Sequence, residues 1–176
     1  DLSGNVVEDA AVLPARDEAP EAAVNVLLAD KHIENTPHTY HLIDTAEKRA
    51  ELSARLMNEQ EICFDTETTG TDANAVEMVG MSFACCKAEA WYVPVPPDQN
   101  ETKAILETFR PLFENEQITF VGQNVKYDMI VLKWYGIEIK GPIFDTMLAH
   151  YLIEPEGRRS MDLLSAQYLQ YMPVSI

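Results

Sequence analysis

From Thr39 onward the chain alternates between short apolar runs and longer stretches with helical spacing. Tyr40–Ile43 reads as a strand. Thr45 then offers a capping oxygen to a helix that runs to about Met57, with Ala46, Ala50, Leu52 and Leu56 as its apolar positions. Glu61–Phe64 is a short apolar strand that leads directly into Asp65. A polar loop, Thr68–Asn74, separates it from two more strands, Val76–Cys85 and Glu89–Val95. Both are rich in β-branched and aromatic residues. Pro94, Pro96 and Pro97 close the second. The spacing of Ile105, Leu106, Phe109 and Leu112 predicts one amphipathic helix over Thr102–Phe113. Ile118–Val121 is a further strand, ended by Gly122. A helix from about Lys126 to Tyr135 stops at Gly136, a residue suited to the left-handed position after a helix. Two last helices, Phe144–Leu152 and Met161–Leu169, are divided by Pro155 and Gly157.

Short strands first, then helix, strand and helix, predict an α/β domain with a mixed central β-sheet flanked by helices. A chain of 176 residues with 47% hydrophobic positions is long enough for one domain with its own core. Residues 1–37 depart from this pattern. They are rich in Ala and Pro and carry eight acids against Arg16 and Lys31. They read as an acidic linker or N-terminal extension, leaving 38–176 as the folded domain. The apolar stretch Val24–Leu28 is expected to dock on the body. The chain starts at Asp1 without a methionine and is expected to be a piece of a longer protein.

Charge narrows the function. Thirteen Lys and Arg against 29 Asp and Glu give a net charge of −16. That excludes a simple cationic DNA-binding module, which neutralises phosphates with Lys and Arg. It leaves room for a nuclease, whose carboxylates gather Mg²⁺ first. No run of about 18 apolar residues and no secretion signal is present, so the expectation is no membrane contact and a cytoplasmic location. Cys63, Cys85 and Cys86 have neither zinc-ligand spacing nor a disulfide pattern and are expected as small buried thiols.

Three acids stand out. Asp65 and Glu67 follow an apolar strand with one residue between them, so both point to one face. Two adjacent carboxylates repel each other unless something neutralises them. They are candidate ligands of Mg²⁺ or Mn²⁺, which prefer hard oxygen donors, or else acids on a solvated strand edge. Asp128 lies in the first turn of a helix that follows a strand, where sites of α/β sheets gather. It reads either as a ligand or as a helix-start acid, with Asn124 as the cap. Asp145 reads most simply as the N-cap of its own helix.

Together these segments resemble one family. Asp65-Thr66-Glu67-Thr68-Thr69-Gly70 resembles the first exonuclease motif of the DEDD superfamily, and Gly122-Gln123-Asn124-Val125-Lys126-Tyr127-Asp128 resembles the second. The stretch from Trp134 to Leu169 is similar to the proofreading domain of bacterial family A DNA polymerases. The resemblance covers about residues 40–176. It implies a ribonuclease-H-like exonuclease fold and 3′–5′ hydrolysis of DNA with two divalent ions, Mg²⁺ or Mn²⁺. By position, Asp65, Glu67 and Asp128 match the catalytic metal ligands. Thr66, Thr71, Asn124, Tyr127 and Arg158 match positions beside the bound strand. Asp145 matches a position that is not catalytic. The implied partners are a single-stranded DNA 3′ end and the polymerase domain of the same parent chain.

Two departures follow. The family's third motif, Tyr-x-x-x-Asp on a later helix, is expected beyond the C-terminus, since the chain stops 48 residues after Asp128. Tyr40-His41-Leu42-Ile43-Asp44 has that spacing but precedes the first motif and lies on a predicted strand. The piece is therefore expected to be weak or inactive alone. Thr71 stands where many members carry a leucine against the terminal base. The competing expectations are a catalytically silent scaffold for the polymerase domain and an RNA exonuclease of the same superfamily.

Overall fold

The computed structural model describes residues 29–174. Most of the expected linker and the docking of Val24–Leu28 lie outside the described residues. A two-residue strand, β1 (Lys31–His32), pairs in parallel with β8 (Tyr171–Met172) near the C-terminus. The main sheet holds β2 (Thr39–Leu42), β3 (Glu61–Thr68), β4 (Met78–Cys86), β5 (Glu89–Pro94), β6 (Thr119–Gly122) and β7 (Ile143–Asp145). Their spatial order is β2-β5-β4-β3-β6-β7. The β3–β4 and β4–β5 pairs are antiparallel and the β2–β5, β3–β6 and β6–β7 pairs parallel, so the expected mixed sheet is present.

Helices α1 (Ala46–Leu56), α2 (Gln99–Glu107), α3 (Arg110–Phe113) and α4 (Val125–Trp134) supply Leu52, Leu56, Leu106, Leu112, Phe113, Val131 and Leu132 to the core. The even-numbered residues of β3, Ile62, Phe64 and Thr66, face that core. Phe64 packs edge-on against Phe113 at 5.0 Å between ring centroids, and Phe113 stacks on Phe120 at 5.4 Å. Each such buried ring contributes roughly 1.5–3 kcal/mol by leaving water. Helix α5 (Thr146–Ile153), the short α6 (Met161–Leu164) and a π-helical turn, Ser165–Leu169, follow. With the odd-numbered face of β3 they bound an open, largely apolar cavity of about 710 Å³, lined by Cys63, Asp65, Val121, Phe144, His150 and Tyr168 among others.

Several elements differ from the sequence expectation. The helix expected over Thr102–Phe113 starts earlier, at Gln99, because Asp98 accepts from the N–H groups of Asn100 and Glu101. It breaks before Arg110, because Pro111 has no N–H and its ring would crowd the carbonyl of Glu107. Ile143–Asp145 is a strand rather than a helix start, since Phe144 pairs with Val121. The last helix ends its α-geometry at Leu164 and widens into the π-turn. β3 runs four residues further than its apolar core suggests, because β4 pairs with it through Thr66↔Met81 and Glu67↔Gly80. Ala46 and Ala50 of α1 face solvent, leaving Leu52 and Leu56 to bury the helix.

The cysteines are also not the buried thiols expected. Cys63 and Cys86 are exposed and Cys85 is intermediate. Alternation along β3 turns Cys63 away from the Ile62–Phe64 face, toward the open cavity. Helix α4 ends as expected. Gly136 takes φ +79°, and the N–H groups of Gly136 and Ile137 donate to the carbonyls of Lys133 and Leu132.

Candidate active site

β3 carries Asp65 and Glu67 on the face away from the core. Asp65 is partly buried and Glu67 is exposed. Burial, then the negative charges of Asp128 and Glu67, push the Asp65 carboxyl up to about 7. The charges acting on it are all negative, so the group carries an uncompensated penalty for ionising.

Asp128 reaches the same stretch of strand from α4. It is 2% exposed. Its Oδ1 accepts from the backbone N–H of Thr66 at 2.9 Å and from the Thr66 hydroxyl at 2.6 Å. Burial raises the Asp128 carboxyl above the ordinary range, and the two Thr66 bonds oppose that rise. Thr66 is itself buried, and its hydroxyl is given to Asp128. Asn124 caps α4 by place but not by side chain. It has left-handed φ and ψ (61° and 44°) and makes no side-chain cap bond. The expected cap is therefore replaced. Asp145 accepts from the N–H groups of Asn124 and Val125, while also capping α5 as expected.

The remaining expected residues are spread around these acids. The Tyr127 hydroxyl donates to the Gly70 carbonyl at 2.7 Å and lies 2.6 Å from the Thr68 hydroxyl, tying α4 to the loop after β3. Thr71 is exposed on that loop, and Asn124 is exposed at the α4 start. Arg158 is exposed between α5 and α6. Tyr40 is 60% exposed on β2, the strand that flanks β5 at one end of the sheet, and Asp44 pairs with Lys48. Sequence reasoning missed Tyr92 of β5. Its ring lies over Gly80 of β4, the residue opposite Glu67, and Glu67 helps burial raise the phenol. Gly80 pairs with Pro94 and lies diagonally across from Tyr92, and a lone glycine on the strand beside a tyrosine was the available signal.

Among the described residues no group of three or more His, Cys, Asp or Glu side chains forms a ready-made metal cage. The donor chemistry still fits a hard divalent cation. Asp65, Glu67 and Asp128 are oxygen donors whose mutual repulsion a cation would relieve. Mg²⁺ in particular is usually held by one or two carboxylates plus water and substrate phosphate rather than by an all-protein cage.

Solved structures with this architecture include Trypanosoma brucei RNase D, with TM-score 0.64 and 18% identity over 77% of this chain and 49% of that one. Brucella melitensis NrnC aligns with TM-score 0.59 and 17% identity over 80% of this chain and 63% of that one. These likenesses show the fold, a ribonuclease-H-like one. The family model described as 3′–5′ exonuclease matches residues 40–176, and the chain belongs to that family. Its similar relatives include DNA polymerase I of Pseudomonas aeruginosa, 38% identical over 122 residues, or 64% of this chain and 13% of that protein. DNA polymerase I of Borreliella burgdorferi is 33% identical over 135 residues, or 75% of this chain and 15% of that protein. The chain thus spans 13% and 15% of the length of these two relatives.

Proposed function

We propose that this domain removes nucleotides from the 3′ end of single-stranded DNA by metal-dependent hydrolysis, as the proofreading part of a polymerase I-type chain. The observation that carries the reading is the placement of Asp65 and Glu67 on one face of β3, with Asp128 bonded to the Thr66 between them. Asp65, Glu67 and Asp128 would hold Mg²⁺ or Mn²⁺. When bound, two such ions make an attacking water more acidic and stabilise charge on the leaving 3′ oxygen.

The chain's own residues do the rest. Thr66 holds Asp128 in place. Tyr127 fixes the Gly70 carbonyl, and so presents Thr71 on the loop toward a terminal base. Asn124 and the exposed Arg158 offer contacts to the strand backbone. Such contacts read phosphate, sugar and stacking rather than base edges, so sequence preference is slight. A net charge of −16 gives the isolated piece little DNA affinity. A polymerase domain in the same chain raises the effective concentration of the 3′ end.

A 3′-labelled single-stranded oligonucleotide in Mg²⁺ or Mn²⁺ tests this, using this chain beside the longer polymerase chain. The longer form shortens the DNA and Asp65→Ala abolishes it. A longer form that leaves mismatched 3′ ends intact overturns the reading. RNA of the same sequence is the control for an RNA exonuclease.

A second reading, a silent scaffold for the polymerase domain, is favoured by one observation. Leu148, Leu152 and Ile153 of α5 are 61%, 80% and 74% exposed, an apolar surface suited to contact with another domain. Absence of saturable Mn²⁺ binding in titration calorimetry supports it.

A further inference from the structure

Asp145 ends β7 and immediately precedes α5. Its carboxylate serves two helices at once. Oδ1 accepts from the N–H groups of Met147 at 2.9 Å and Leu148 at 3.3 Å, in the first turn of α5. The same oxygen accepts from the Asn124 N–H at 3.1 Å, and Oδ2 accepts from the Val125 N–H at 2.9 Å. Asn124 and Val125 open α4, the helix that carries Tyr127 and Asp128. Both helix starts present unsatisfied N–H groups and partial positive charge, and one carboxylate answers both.

The start of α4 needs this help. Asn124 sits at φ 61°, an uncommon backbone region for a residue with a Cβ, and provides no cap of its own. The register of β6 against β7 puts Gly122 opposite Asp145, which brings the carboxylate alongside that turn. From Val125, less than one helical turn leads to Asp128 and its bonds to Thr66.

We propose that Asp145 is a positioning residue for the candidate active site: by clamping Asn124 and Val125 it fixes the start of α4 and thereby the placement of Asp128 against β3. The functional consequence rests on the reading of Asp128 as a metal ligand. The structural part does not.

Asp145→Ser separates this role from simple capping of α5. Serine keeps a short acceptor for Met147 and Leu148 but is too short to reach Asn124 and Val125 as well. The measurements are amide hydrogen exchange, thermal melting and Mn²⁺ titration on this chain. Expected for Asp145→Ser are a melting temperature a few degrees below that of the unaltered chain, preserved protection in α5, and exchange about tenfold faster over residues 124–128. Mn²⁺ affinity falls about tenfold, the usual scale for losing a group that orients a ligand. Unchanged exchange over 124–128 overturns the proposal. If the unaltered chain binds no Mn²⁺ while Asp145→Ser still speeds exchange there, the clamp stands and the metal reading fails. Should Asp145→Ser not fold, Asp145→Asn decides. It keeps one carbonyl oxygen and turns an amide toward the remaining N–H groups. Faster exchange confined to the α4 start supports the clamp, and faster exchange confined to α5 overturns it.

Discussion

Asp128 accepts both of its Thr66 hydrogen bonds on a single oxygen, one from the backbone N–H at 2.9 Å and one from the hydroxyl at 2.6 Å. The arrangement fastens α4 to the residue that separates Asp65 from Glu67. One threonine therefore sets the relation between the two motifs of the candidate site.

Replacing that hydroxyl by a methyl group tests the fastening. Thr66→Val keeps the shape and takes the hydroxyl donor away from a 2%-exposed carboxylate. Hydrogen bonds to charged groups contribute about 1.5–3 kcal/mol, so a loss of that order is expected where the Asp128 carboxylate is ionised. The Thr66 bonds oppose the rise that burial gives the Asp128 carboxyl. Their stabilisation is therefore present when the carboxylate is ionised and fades as acid protonates it. Urea unfolding at pH 7 and pH 3 should show a larger deficit at pH 7. Equal deficits would mean that the hydroxyl acts by packing alone.

Asp65, whose carboxyl burial raises as it does that of Asp128, lowers stability as pH rises. Its carboxyl is raised from 3.8 to about 7 in the folded chain. Below the unfolded value both states hold the proton and there is no penalty. As pH rises toward 7 the unfolded chain releases it and the folded chain resists, so metal-free stability falls. Asp65→Asn removes this penalty. After allowing for solvent screening at a partly exposed group, a gain on the order of 1–2 kcal/mol is expected at pH 8. That corresponds to a rise of about 2–8 °C in melting temperature, with no gain at pH 4. A variant that melts below the unaltered chain at pH 8 in chelator would contradict the raised value.

Tyr127→Phe addresses the loop rather than the acids. It removes the hydroxyl that meets both Gly70 and Thr68 while keeping the ring packed against the core. The two partners are near solvent, so the stability cost is small, about 0.5–1.5 kcal/mol. Loosening the loop after β3 should speed amide exchange at Gly70 and Thr71. In a longer chain of the proposed polymerase type, exonuclease activity should fall through weaker strand binding. A large loss of stability with an unaltered loop would assign Tyr127 to the core instead.

The sequence made part of this site legible because periodicity is local. Alternation put Asp65 and Glu67 on one face of β3, and the strand–turn–helix order placed Asp128 at a helix start. Capping of α5 by Asp145 was equally local. The reach of Asp145 to Asn124 and Val125, twenty and more residues back, was not. It depends on the pairing of β6 with β7, and β7 is a three-residue strand hidden inside a helical pattern. The left-handed Asn124 escaped notice for the same reason: its own side chain looked sufficient as a cap. β1 and β8 are two residues each, too short for any pattern, and exist because they pair with each other.

Gly80 provides the sharpest test of the side of the site that periodicity could not reveal. A Cβ there would collide with the Tyr92 ring, with ring carbons at 2.5 and 2.7 Å. In an ordinary strand, replacing glycine by alanine stabilises by roughly 0.5–1 kcal/mol. Here the ring would have to leave its place beside Glu67, so Gly80→Ala should instead destabilise by about 1–3 kcal/mol, as overpacked sites do. Tyr92→Leu removes the clash. The double variant should therefore be more stable than the sum of the two single changes, with a coupling of about 1 kcal/mol or more in chemical denaturation. Additive changes would mean that the ring swings aside without cost and that Gly80 is not what lays Tyr92 across the sheet toward Glu67.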